Sequence, residues 1–115
     1  MDGRSSFMVN PIKTSINDAL VLTYILEDED EILGQIKAEI FQEYVLLHPH
    51  LWKVSKGTFL RLKEMFHQVC KDMEWFYFDA VHCVTHNAKI VNMLTDNKVK
   101  ELAHTPQGVI YEYGV

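Results

Sequence analysis

YVLLHPHLWKVSKGTFLRLKEMFHQVCKDM, residues 44–73, decides the fold. Its first limb, Tyr44-Val45-Leu46-Leu47-His48, is a short apolar run and reads as a strand. Pro49 has no N–H to give to a ladder, so the strand should stop there. After Gly57 the period changes. Phe59, Leu62, Phe66, Val69 and Met73 recur at spacings of 3 and 4, which puts them on one stripe of a helix over about Thr58–Met73. Arg61, Lys63, Glu64, Gln68 and Lys71 fall largely on the other side. A strand that feeds a helix and then another strand requires a crossover, right-handed by the usual chirality.

Upstream, Leu33, Gln35, Lys37 and Glu39 alternate with Gly34, Ile36, Ala38 and Ile40, the period-2 mark of a half-buried strand. Ala19–Leu26 is β-branched and aromatic-rich and reads as a mostly buried strand. The five acids Glu27–Glu31 between them repel one another and belong in water, at a hairpin tip. Residues 1–17 are polar and mixed, and are expected to form an N-terminal arm with a short strand at Phe7–Val9; residues 18–115 form the domain. Downstream, Trp75-Phe76-Tyr77-Phe78 reads as a strand continuing through Val84. Its consecutive aromatics cannot all face one core. They are either buried on both faces of the sheet or present a surface to a protein partner, which a second copy of the chain would satisfy. Thr85 or Asn87 caps a second helix with Ile90, Val91 and Leu94 on its apolar side, ended by Asp96-Asn97. Strands near Lys98–Ala103 and Val109–Tyr113 flank the turn His104–Gly108. The expected order is β-β-β-α-β-α-β-β: an α+β domain with a mixed, mainly antiparallel sheet and two packed helices.

At 115 residues one domain is the default, and 48% hydrophobic with 23% charged residues is an ordinary globular balance. No apolar run approaches the roughly 20 residues of a membrane helix. The N-terminus lacks the apolar centre of a secretory signal. Two cysteines, Cys70 and Cys83, match neither a disulfide scaffold nor a common zinc spacing, and a reduced cytoplasmic setting is expected. A net charge of -5 argues against nucleic-acid binding. That charge is uneven. Residues 53–63 hold Lys53, Lys56, Arg61 and Lys63 and no acid, so this segment carries +4 and the rest of the chain -9. The segment opens the helix after Gly57, where free backbone N–H groups and the helix dipole favour an anion. The plainer alternative is a lysine-bearing surface helix.

Two local patterns and the element order resemble the GNAT superfamily of N-acetyltransferases. Leu47-His48-Pro49, followed by a loop and a helix, resembles the family's strand end, pyrophosphate loop and third helix. Asn87–Val99 resembles the segment that starts the fourth helix with Asn and runs into the next strand. The resemblance covers about residues 18–115 and lacks the family's first two helices; short GNAT-like proteins of this style are similar to bacteriophage proteins, including internal virion proteins. It implies acetyl-CoA as cofactor, with Leu47 bonding the pantetheine through its backbone. Ser55, Lys56, Gly57 and Thr58, with Lys53 at the head of the motif, would hold the phosphates, and Asn87 would lie near the thiol end. The family's loop has small residues where this chain has Lys56 and Thr58. Leu94 stands where many members carry a general-acid Tyr, and Lys98-Val99 where they carry Gly-Phe.

The implied reaction is acyl transfer from a thioester to an amine, which needs a base. Candidates are Glu43, before the strand, and His48, at its end. His82 and Cys83 face opposite ways, and Cys83 is expected to be buried filler. His48 and His50 lack a third metal ligand, and the acids at 27–31 lack a calcium-loop pattern, so no metal is expected. The alternative function is a catalytically silent GNAT-fold protein used for binding, as a phage structural or host-inhibiting protein.

Overall fold

The alternation at 33–40 and the acid run before it produce a long hairpin. In the computed structural model, which describes residues 9–16 and 19–115, strands β2 (Ala19–Asp28) and β3 (Glu31–Ile40) pair antiparallel around a tip at Glu29 and Asp30. Glu29 takes the left-handed φ of 56° that so tight a reversal demands. β1 (Ile12–Ile16) precedes them and pairs with β2. The strand expected at Phe7–Val9 falls largely outside the described residues. Only two residues separate β1 from β2, so the family's first two helices have no room there.

β4 (Val45–Leu51) follows β3, then α1 (Lys56–Trp75), β5 (Ala80–Thr85), α2 (Ala88–Leu94), β6 (Lys100–Thr105) and β7 (Gly108–Gly114). The seven strands form one sheet in the order β1-β2-β3-β4-β5-β7-β6. Every pairing is antiparallel except β4 with β5, the two strands that α1 connects. This is the mixed α+β, GNAT-like fold that the element order implies.

One core joins Leu22, Tyr24, Leu26, Ile36, Ala38, Val45, Leu47, Val81 and Cys83 of the sheet to both helices. α1 contributes Leu62, Met65, Phe66, Val69 and Met73, and α2 contributes Ile90, Val91 and Leu94. The helical stripe holds except at its first member: Phe59 is only partly buried. By strand alternation, β3 and β4 carry Gln35, Lys37, Glu39, His48 and His50 on their other face.

The expected order lacks β1, an exposed edge strand in the stretch read as an arm, and two boundaries also differ. β4 does not stop at Pro49 but continues to Leu51, with Pro49 opposite Ile36. The missing N–H is tolerated because beyond Leu47 the β5 side of β4 is unpaired, so Pro49 sits on a local edge. The aromatic run is not a strand. α1 continues to Trp75, and the chain reverses through Phe76 and Tyr77 before β5 begins at Ala80. Tyr77 takes φ 70°, its N–H reaches the Glu74 carbonyl, and the Phe78 N–H reaches the Met73 carbonyl. That is a Schellman ending with tyrosine in the glycine position, and Phe78 packs on the core, as such motifs require.

Candidate active site

The parallel seam sets the site. β4 and β5 share only the pairs Leu46–His82 and Leu47–Cys83. Past Leu47 they part, and a cleft of about 560 Å³ opens between the β4 end, the α1 N-terminus, and α2. Its walls are apolar, from Leu51, Val54, Phe59, Leu60, Ile90 and Met93. Ser55, Lys56, Thr85, Asn87 and Lys89 add polarity, and no carboxylate lines it among the described residues.

The floor near α1 is built by its cap. Ser55 Oγ accepts the Thr58 N–H at 3.2 Å, while Thr58 Oγ1 accepts the Ser55 N–H at 3.0 Å. This reciprocal box satisfies two of the groups that a helix start leaves orphaned. The Thr58 hydroxyl also donates to the Lys53 carbonyl at 2.8 Å, so Thr58 is buried and occupied within the protein. The N–H groups of Lys56 and Gly57 have no acceptor among the described residues. A Cβ at Gly57 would meet nothing within 4 Å, so the backbone there is approachable.

The basic cluster of residues 53–63 disperses. The Lys53 Nζ is 3.6 Å from Glu31, and Arg61 donates to the Glu27 carbonyl at 3.1 Å, both at the acidic hairpin tip. Lys63 pairs with Asp96 at 2.5 Å. That contact, chiefly its hydrogen bond, holds the Asp96 carboxyl below its ordinary range. Only Lys56 of the four lines the cleft, and it is joined there by Lys89 of α2. Asn87 lies on the cleft and caps α2, its Oδ1 accepting the Ile90 N–H at 3.3 Å.

Of the residues singled out by sequence, Ser55, Lys56 and Asn87 meet at the cleft. Leu47 is fully buried at the last paired position of the seam. Lys53, Gly57 and Thr58 lie in the same turn without lining the cleft. Lys89, Leu60 and Met93 also line the cleft, though no motif marks them. Leu60 and Met93 are large apolar residues off the buried stripes of their helices and are exposed, 53% and 43%, and that off-stripe position is the signal for them.

The two base candidates separate. Glu43 is exposed in the β3–β4 turn, at the opposite end of β4, six residues or about 20 Å of strand from Pro49. His48 immediately follows the last paired residue, with its Nε2 2.5 Å from Glu39 Oε1. A carboxylate only accepts, so Nε2 is the donor in this contact. Cys83 is buried, and burial pushes its thiol up to about 12, the opposite of an activated nucleophile. No cluster of three or more metal-ligating side chains occurs among the described residues.

An α+β sheet with one parallel seam that opens over a helix N-terminus is a GNAT-like fold. The solved structure of an aminoglycoside 6'-acetyltransferase type Ii is similar to this chain, with a TM-score of 0.62 over 82% of this chain and 68% of that one, at 13% identity. No family model matches the sequence, and no curated protein matches it.

Proposed function

We propose that the protein is an acetyl-CoA-dependent N-acetyltransferase. The observation that carries this reading is the parting of β4 and β5 after two residue pairs, over an apolar cleft lined by two lysines and, among the described residues, no carboxylate. An apolar slot ending in cations and free N–H groups suits a thioester whose far end is a diphosphate. The fold shared with an aminoglycoside acetyltransferase supports the same reading.

Lys56, with the N–H groups of Lys56 and Gly57, would hold the phosphates, and Lys89 would add charge from α2. The side chains of Leu51, Phe59, Ile90 and Met93 exclude water along the arm. Acetyl-CoA, when bound, supplies the activated acyl group. His48 would take a proton from the ammonium, freeing the lone pair that forms the N–C bond as the C–S bond breaks, and a proton would be returned to the departing sulfur. Glu39, bonded to the ring at Nε2, fixes its orientation. His48 fills this role better than Glu43, which lies a strand length away.

A second reading, a catalytically silent binding protein of the same fold, is favoured by Leu94. It is fully buried where the resemblance expects a tyrosine that protonates the leaving thiol.

Thermal shift with acetyl-CoA tests the proposal. Ligand at 100 times its Kd stabilises by about 2.7 kcal/mol, so Tm should rise clearly. Lys56→Glu should melt at the unliganded temperature with or without cofactor. No shift in the unaltered protein at millimolar acetyl-CoA overturns the reading. Binding without thiol release in the presence of amines selects the silent alternative.

A further inference from the structure

A second hollow, of about 500 Å³, lies on the other face of the sheet. Gln35, Lys37 and Glu39 of β3 and His48 of β4 line it, with Trp52 at the rim. Cross-strand pairing sets Lys37 beside His48 and Gln35 beside His50. The His50 ring meets the Trp52 ring edge-on at 4.5 Å, which makes an aromatic wall. This hollow and the apolar cleft share Pro49 and His50, so they meet on the stretch of β4 that has parted from β5. No helix covers the hollow among its described lining residues.

The charges in it are of both signs and ordered. Lys37 has no carboxylate partner among the described residues, while Glu39 holds the His48 ring two positions along the strand. A polycation would be repelled at Lys37. A simple anion would be repelled at Glu39. An amine that carries its own carboxylate satisfies both ends, with its ammonium toward Glu39 and His48, its carboxylate on Lys37 and its side chain against Trp52.

We infer that this hollow is the acceptor site and that it takes a zwitterionic amine of the α-amino-acid class with an aromatic or bulky apolar side chain. The inference rests on the acetyltransferase reading for the use of the site, but the binding itself does not need acetyl-CoA.

The test is titration of the ¹⁵N-labelled protein, without cofactor, with L-phenylalanine, phenethylamine and spermidine, following the Trp52 indole and Gln35 amide signals. L-Phenylalanine should give saturable shifts at both residues. Phenethylamine, which lacks the carboxylate, should bind at least tenfold more weakly, and spermidine should leave both signals in place. Lys37→Glu should reverse the order, losing L-phenylalanine and gaining phenethylamine. Lys37→Gln should bring the two amines to similar affinity and guards against misfolding of the charge reversal. Absence of saturable shifts with L-phenylalanine, or equal affinity for it and phenethylamine in the unaltered protein, overturns the inference. Because acetyl-CoA is absent from these titrations, a negative thermal shift would remove the transferase reading and leave this result standing.

Discussion

Gly57 is the second residue of α1, it has ordinary helical surroundings, and an added methyl would touch nothing within 4 Å. Packing therefore does not require a glycine there. Gly57→Ala should raise stability by up to about 1 kcal/mol, the usual helix preference for alanine. If a phosphate rests on the residue-57 N–H, the same methyl crowds it, and acetyl-CoA affinity should fall while the urea midpoint rises. Calorimetry that finds affinity unchanged would show that the ligand does not approach this amide. Gly108 is the contrasting case. Its φ is +134°, and a Cβ would fall 2.6 Å from the Thr85 carbonyl carbon, so Gly108→Ala should push against the end of β5 and lower stability. Single residues also explain what the basic segment hid. Four cations without an acid in sequence are not a patch in space, because Lys53 and Arg61 turn back to the acidic hairpin and Lys63 to Asp96.

At the level of elements, the strands and helices of residues 19–48 and 80–115 were legible because their patterns were regular. Leu33–Ile40 alternates, Glu27–Glu31 cannot be buried, and Asn87 precedes an apolar turn that it does cap. The α1 terminus was not legible. A Schellman ending normally shows a glycine, and here Tyr77 adopts the left-handed turn, so the aromatic run resembled a strand. A left-handed non-glycine residue costs roughly 1–2 kcal/mol, offset in part by glycine's greater freedom when unfolded. The Tyr77 side chain is 97% exposed and loses little packing on removal. Tyr77→Gly should therefore stabilise by about 0.5–1 kcal/mol, read from urea unfolding. Destabilisation would mean that the exposed ring contributes contacts. Ser55, Lys56 and Asn87, which the resemblance singles out, lie together on the cleft. The hollow at Glu39 and His48 was not legible, because a cross-strand pair depends on register, and register is settled by tertiary pairing.

Across the whole molecule, ionisable groups are held neutral inside. Burial pushes the Cys70 and Cys83 thiols up to about 12, and burial together with the Asp72 hydrogen bond at 2.6 Å raises the Tyr24 hydroxyl as well. In the unfolded chain the thiols ionise from about pH 8.5. Their folded values lie above their unfolded ones, so the stability they carry is complete below that pH and is lost as pH climbs toward 12. Urea midpoints should hold to about pH 8.5 and then fall, at up to about 1.4 kcal/mol per pH unit for each group that ionises. A midpoint level through pH 11 would show that these thiols ionise as readily folded as unfolded.

The two residue pairs that join β4 to β5 have a mechanical meaning. On one side lies a four-strand meander, on the other a three-strand unit, and the backbone bonds between them are few. Fewer residue pairs join these two strands than any other neighbours in the sheet. A rod-like molecule lodged in the gap would act as a splint, slowing amide exchange at Leu46, Leu47, His82 and Cys83 while leaving the outer strands at their original rates.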